Sequence, residues 1–139
     1  MKTCSVLTLF IFIFFMACAT SDHPVEEKAA TEAARLWLAL VDSARYQQSW
    51  EESAEIFRKA ISPEGWQKQL ERARSPLGEV ISREVKSTQY ATTLPGAPDG
   101  EYVIVIFQSA FANKKSAVET VTPMKDSLGL WRVAGYYIR

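Results

Sequence analysis

The sequence predicts an α+β domain behind an export leader, with helices in the first half of the domain and strands in the second. Residues 6–17 form an apolar run that follows Lys2. Between residues 25 and 74 the apolar positions recur every three or four residues, which is typical of amphipathic helices. Beyond Gly78 the pattern alternates and is rich in β-branched residues, which favour an extended backbone.

The N-terminal segment has the form of a signal peptide. Lys2 provides the positive start, and residues 6–17 make an apolar run of about 12 residues. A helix that spans a membrane needs roughly 20 apolar residues. The run therefore predicts export more strongly than a transmembrane anchor.

The end of the leader allows two cleavage sites. Residues 15–18 read Phe-Met-Ala-Cys, which is similar to the lipobox of bacterial lipoproteins, although Phe15 replaces the usual leucine. This likeness implies cleavage before Cys18 and lipidation of that residue. The alternative is ordinary signal-peptidase cleavage after Ala19. We predict a lipoprotein-like signal peptide at 1–18, a tether at 19–24 and a single α+β domain at 25–139.

Composition excludes several kinds of function. The chain has 16 basic and 16 acidic residues, so loss of Lys2 leaves a net charge of about −1 and no electrostatic footprint for nucleic acid. Cys4 and Cys18 precede the domain, and His23, the one histidine, lies in the tether. The domain therefore lacks a thiol nucleophile, a disulfide and the usual zinc ligands. We expect no cofactor and no metal.

Three helical segments are predicted before the sheet. The first covers residues 25–41, and the second follows one apolar stripe from residue 46 to residue 61. Ser62 and Pro63 are a favourable cap and first-turn residue for the third helix. Residues 75–78, Ser-Pro-Leu-Gly, end it.

The remaining chain predicts a curved antiparallel meander of about four strands on which the helices pack. Ile81 and Val85 are the clearest inward candidates of the first strand, and Gly135 indicates a bulge or a close backbone approach in the last. Residues 102–107 are apolar on both faces, so we expect a central strand covered on both sides. Because one helical layer covers one face, either the sheet curls around a helix or a second copy forms a homodimer through the sheet.

Residues 37–42 read Trp-Leu-Ala-Leu-Val-Asp, and residues 131–137 read Trp-Arg-Val-Ala-Gly-Tyr-Tyr. Together with residues 46–50, 75–78, 94–102, 111–115 and 119–124, these segments resemble the domain of unknown function 4019 family of bacterial exported proteins. The resemblance runs from about residue 30 to the C-terminus and implies no assigned activity. More distantly, helices followed by a meander look like the cone-shaped fold of nuclear transport factor two and the ketosteroid isomerases, but fold alone does not carry function.

Aromatic side chains of the helical half are the candidate ligand-binding residues. They are Trp37, Tyr46, Trp50 and Trp66. The simpler interpretation, which we favour, is that aromatic rings at helical spacing fill the core between helices and sheet.

The missing residue types favour a non-enzymatic domain. We expect a binding or interaction domain of the bacterial envelope, lipid-anchored on the periplasmic side of a membrane or secreted. Its partner would be an unknown protein or a small hydrophobic ligand. The alternative is a small isomerase or lyase with a carboxylate base and a tyrosine donor in a hydrophobic pocket, the chemistry that the cone-shaped isomerases use. Its candidate carboxylates are Asp42, Glu84 and Glu101, and its candidate donors are Tyr46, Tyr90, Tyr102, Tyr136 and Tyr137.

Overall fold

A computed structural model describes residues 22–139 of the chain. The predicted signal peptide, Cys18 and the start of the tether lie outside the described residues. Four α-helices precede one sheet: α1 Pro24–Asp42, α2 Tyr46–Glu51, α3 Glu55–Ala60, α4 Pro63–Arg74, then β1 Val80–Ala91, β2 Tyr102–Phe111, β3 Lys114–Lys125 and β4 Trp131–Ile138. A short 3-10 turn, Ser75–Leu77, follows α4. The strands pair antiparallel in the order β1-β2-β3-β4, which confirms the predicted α+β meander.

Helix α1 crosses the sheet and supplies much of the core. Its N-terminal end is tied to β1, because Glu27 accepts a hydrogen bond from the Thr88 hydroxyl at 2.6 Å. His23, at the end of the predicted tether, stacks on Tyr90 with ring centroids 3.9 Å apart. The buried residues of the helix follow its apolar stripe: Ala30, Ala34, Trp37, Leu38 and Val41. None of the helices within residues 22–139 combines the length and the apolar composition that a membrane crossing requires.

The predicted single helix over residues 46–61 is wrong, because the structure divides it into α2 and α3. At the break Ala54 adopts an extended conformation, with φ −59° and ψ 152°. Its N–H group donates to the carbonyl of Val133 on β4 at 2.8 Å. A backbone bond to a strand distant in sequence therefore interrupts a stripe whose side-chain spacing is helical throughout.

Of the two side chains of β1 expected to point inward, Ile81 does not, and Val85, which lies opposite the buried Phe107, does so only at the partly exposed edge of the sheet. Ile81 is 68% exposed and Val85 is 36% exposed. The register between β1 and β2 shifts around Ile81, which removes this residue from the alternation. Arg83, opposite Ser109 of β2, reaches the layer between helices and sheet.

Strand β2 lies between β1 and β3, as predicted for a central strand. Its side chains at Val103, Val105 and Phe107 are fully buried under the helices. Ile104 and Ile106 face the other side and remain half-buried, and no helix of the described chain covers them. Helices therefore cover one face of β2, and not both faces as expected. A homodimer through the open face stays a prediction, which sedimentation at micromolar concentration tests.

Candidate functional site

Charged side chains from four separate elements meet in the interior, in a group that we call the ionic cluster. Asp42 ends α1, Arg74 ends α4, Arg83 lies on β1 and Glu119 lies on β3. Two neutral hydroxyl groups complete the cluster, those of Ser109 on β2 and Tyr136 on β4. Two carboxylates and two guanidinium groups make the cluster electrically neutral.

Glu119 is the centre of the ionic cluster and is completely buried. Its Oε1 accepts hydrogen bonds from Arg83 Nε at 2.8 Å and from Ser109 Oγ at 2.6 Å. Its Oε2 accepts from the Tyr136 hydroxyl at 2.6 Å and from Arg83 Nη2 at 3.2 Å. A carboxylate has about four acceptor sites, so these donors fill the whole acceptor capacity of Glu119.

Asp42 bridges the two arginines. It accepts from Arg74 Nη2 at 2.6 Å and from Arg83 at 2.7 and 3.0 Å. Burial alone would raise the pKa of the Asp42 carboxyl, but the hydrogen bonds and charges of Arg83 and Arg74 hold the pKa below its ordinary value. Burial alone would lower the pKa of Arg83, and its bonds to Asp42 and Glu119 raise it instead. The Asp42 carboxyl and the Arg83 guanidinium therefore both stay ionised around neutral pH.

Arg74 closes the cluster on the side of α4. Its side chain is only 7% exposed, and its guanidinium carbon lies 4.8 Å from the centre of the Phe111 ring, within the range of a cation–π contact. Its Nη1 lies 3.9 Å from Glu119 Oε2 and 3.4 Å from the Tyr136 hydroxyl. Its Nε has no hydrogen-bond partner among the described residues. The last turn of α4 is thus fixed to the sheet through one arginine.

Tyr136 connects the ionic cluster with a groove at the protein surface. Burial raises the pKa of the Tyr136 phenol, and the negative charge of Glu119 raises it further. The hydroxyl therefore keeps its proton and donates a hydrogen bond to Glu119. The residue also lines the groove, so it forms the boundary between the charged interior and an open apolar site.

The groove runs between α4 and β4 and has a volume of about 330 Å³. We call it the α4–β4 groove. It is lined by Trp66, Gln69, Leu70, Arg72, Ala73, Tyr136, Tyr137 and Ile138. Arg72 carries the one charge of this lining, and most of the other side chains are apolar or aromatic. Tyr137 is 63% exposed, which leaves a large aromatic ring at the rim.

The four aromatic residues predicted to bind a ligand do not line a common groove, although the ring centroids of Trp37 and Trp66 lie 5.7 Å apart in the core. Trp37 is buried in the core, where its Nε1 donates to the Ser49 carbonyl at 2.8 Å. Trp50 is half-buried and donates to a backbone carbonyl at 2.8 Å. Tyr46 borders a broad, polar depression between α2 and α4. Trp66 is the member of the four that lines the α4–β4 groove, and its Nε1 donates to the Ser49 hydroxyl at 3.0 Å.

Sequence reasoning missed most of the ionic cluster. Of the proposed carboxylates only Asp42 belongs to it, since Glu84 is exposed and Glu101 pairs with a lysine near the surface. A usable indication existed for Glu119, because its neighbours two positions away, Ala117 and Val121, are apolar and can form one buried face of a strand. A charged residue between two inward positions of a strand shares their face.

Among residues 22–139 no group of three or more histidine, cysteine, aspartate and glutamate side chains is arranged to hold a metal ion. The two carboxylates of the ionic cluster already have arginine partners. Electrostatic neutrality within the cluster leaves no unbalanced negative charge for a cation.

Fold and site together define a small α+β domain in which a charge-balanced buried cluster lies beside the apolar α4–β4 groove. The chain belongs to the family described as "Protein of unknown function (DUF4019)", whose sequence model matches residues 33–136. The match includes every member of the ionic cluster, and it confirms the resemblance seen in the sequence. Comparisons with curated proteins and with solved structures gave no match. The more distant likeness to the nuclear transport factor two fold stays a prediction.

Proposed function

We propose that this protein is an exported, non-enzymatic binding domain of the bacterial envelope that takes an apolar partner in the α4–β4 groove. One observation carries the proposal. The tyrosine that separates the groove from the interior has its hydroxyl engaged by a buried carboxylate, and no carboxylate of residues 22–139 lines the groove itself, so the groove offers shape and apolar surface but no carboxylate base.

The geometry of Glu119 argues against catalysis. A general base must come within hydrogen-bond reach of the proton that it removes. Glu119 is fully buried, and its two oxygens accept from Arg83, Ser109 and Tyr136. The same bond removes the Tyr136 proton from the groove, so it cannot be donated to an enolate. Acid–base chemistry by this pair would require the buried Tyr136–Glu119 bond to break first.

The groove has the properties of a binding site. Its volume lies at the small end of the range for ligand pockets, roughly 300–1,000 Å³. Leu70 and Trp66 provide an apolar floor, and the exposed ring of Tyr137 stands at the rim. Because the ionic cluster fixes Arg74 and Tyr136, the two walls are held before a partner arrives. A preformed site loses less conformational entropy on binding.

The alternative, a small isomerase or lyase, has one observation in its favour. Glu119 and Tyr136 are a carboxylate and a tyrosine 2.6 Å apart, next to an apolar groove. The test is turnover in a screen of small hydrophobic carbonyl compounds. Activity that disappears in Glu119→Gln and in Tyr136→Phe, while both variants stay folded, would favour this alternative over the binding domain.

Export and lipid anchoring are parts of the proposal that rest on the sequence before residue 22. The lipobox-like residues 15–18 support an acyl chain on Cys18, and the alternative is a free N-terminus at Thr20. Mass spectrometry of the mature protein from its native envelope separates the two. A diacyl or triacyl mass on Cys18 is expected, and an unmodified chain that starts at Thr20 would contradict the anchor.

Photo-crosslinking in the native host tests the binding function. We place p-benzoylphenylalanine at Ala73, which lines the groove, and at Lys68, which is exposed on the same helix but outside the groove. The expected result is a defined adduct from position 73 and none from position 68. The same adducts at both positions, or none at position 73, would contradict a partner in the α4–β4 groove.

A further inference from the structure

We infer that the partner in the α4–β4 groove is an extended polypeptide segment that adds to β4 as a fifth strand and carries an acidic group near Arg72. This inference rests on the proposed binding function and specifies the partner. It follows from the backbone of β4, from the contrast between the two edges of the sheet and from the single charge of the groove.

The backbone of β4 has open hydrogen-bonding positions along the groove. Arg139 exchanges both backbone hydrogen bonds with Val118, at 2.9 and 3.1 Å. In an antiparallel ladder the residues that bond to a neighbouring strand alternate with residues that point their N–H and C=O groups away from it. Tyr136 and Ile138 therefore direct these groups toward the free edge. Within residues 22–139 no backbone bond to these outward groups is formed.

The free edge of β4 already accepts one backbone bond. Ala54, between α2 and α3, donates its N–H to the carbonyl of Val133 at 2.8 Å. This bond covers the first half of the edge with a segment of the same chain. The second half, at Tyr136–Ile138, borders the groove instead. A strand that enters the groove would continue the pairing from the point where Ala54 leaves it.

The two edges of the sheet differ in their protection against a further strand. Strand β1 has two register shifts and carries the charged residues Glu84 and Lys86. Bulges and charges are the usual features that prevent an edge from pairing with another chain. Residues 133–138 of β4 have no charged side chain. The β3–β4 pairing has a single register shift, beside Gly135, so the stretch at residues 136–138 that borders the groove is the less protected edge.

The lining of the groove sets the chemistry of the segment. Successive side chains of an extended chain point to opposite faces, so every second residue would face Trp66, Leu70 and Ala73 on α4. These positions select apolar side chains. Arg72 is the one charged residue of the lining, and it forms no ion pair with another described residue. A carboxylate of the partner, from Asp, Glu or the chain terminus, complements it.

A phage-displayed library of random nine-residue peptides, selected on the purified mature protein, tests this inference. We expect enriched peptides with apolar residues at alternate positions and one acidic residue. Fluorescence anisotropy with the best peptide, made synthetically, then gives the affinity. Ala73→Glu and Arg72→Glu are each expected to weaken binding at least tenfold, whereas Lys68→Glu changes it less than twofold.

Two further measurements identify backbone pairing. Ile138→Pro removes an N–H group that points away from β3, a position where an edge strand tolerates proline, and should weaken binding at least tenfold. In case this variant does not fold, the peptide itself is changed. N-methylation of alternate amides in one register should abolish binding, and N-methylation in the other register should not.

Three outcomes would overturn the inference. The first is the absence of enriched sequences, and the second is equal binding of the two N-methylated peptides. The third is a dimer of the protein that Ala73→Glu converts to monomer, because a second copy of the chain would then occupy the groove. The binding function and the added strand can be refuted independently of each other. A groove-specific adduct at position 73 together with equal binding of both methylated peptides keeps the binding domain and rejects the added strand.

Discussion

Replacing Glu119 by glutamine is the most direct test of the ionic cluster. The substitution keeps the size and shape of the side chain but removes its charge. The cluster would then hold two guanidinium groups against the single carboxylate of Asp42. In addition, the new amide NH₂ group must face one of the donors that Glu119 now binds. Ser109 and Tyr136 can rotate their hydroxyls to accept a hydrogen bond, but Arg83 has no acceptor.

The expected cost follows from burial. Glu119 is 0% exposed, so solvent cannot compensate for the missing charge. Removal of one member of a buried ion pair costs about 3–5 kcal/mol. This is a large share of the roughly 5–15 kcal/mol that stabilises an ordinary domain. For a domain of this size it corresponds to a decrease of roughly 10–25 °C in the melting temperature.

Urea unfolding followed by tryptophan fluorescence measures this cost, because Trp37 and Trp66 lie in the core. The matched control is Glu84→Gln, the same substitution at an exposed position of the sheet. We expect a change below about 0.5 kcal/mol for the control. A cost below about 1 kcal/mol for Glu119→Gln, or one equal to the control, would refute the buried, charge-balanced cluster.

Three other substitutions test neighbouring parts of the structure. Tyr136→Phe keeps the ring in the groove but removes one donor to Glu119, so we expect a loss of about 1–3 kcal/mol in urea unfolding, and an unchanged midpoint would contradict the 2.6 Å bond. The pKa of Asp42 is lower in the folded than in the unfolded state, so this carboxyl contributes stability above about pH 4 that is lost as the pH falls through its folded value. In Asp42→Asn the unfolding free energy should therefore depend less steeply on pH below about 4, and a slope equal to the wild type would contradict the shift. Gly78 has φ +74°, and a Cβ there would meet the Ala112 side chain at 3.1 Å, so Gly78→Ala should cost about 1–3 kcal/mol in thermal unfolding. Gly96→Ala, with a similar φ of +75° but no atom within 4 Å of the added Cβ, should cost less, and equal costs would contradict the steric contribution.

The sequence was sufficient where side-chain spacing alone decides the structure. The start of α4 follows from Ser62 and Pro63, and the structure shows the serine side chain accepting a hydrogen bond from the Gly65 N–H at 3.1 Å. The bulge expected at Gly135 is present as a register shift in the β3–β4 pairing. Capping residues, turn residues and periodicity act over a few positions, so a local reading of the chain can find them.

The predictions that proved wrong involve bonds between distant parts of the chain. The stripe from residue 46 to residue 61 is interrupted because Ala54 bonds to Val133 of β4. Ile81 turns outward because the pairing with β2 shifts, and Arg83 takes the inward position. No local rule places an arginine in a buried position of an edge strand. Its burial depends on Asp42 and Glu119, which reach it from α1 and β3.

The sequence by itself determined the class of domain, the order of helices and strands, the family, and the absence of cysteine and histidine from residues 25–139. These properties depend on composition and on short-range patterns. The tertiary structure alone decided that four charged residues neutralise each other around Glu119, that Trp66 but not Trp37 lines the α4–β4 groove, and that the free edge of β4 borders that groove. The reason is physical: a buried charge is stable only beside its partners, and here those partners come together from separate elements when the chain folds.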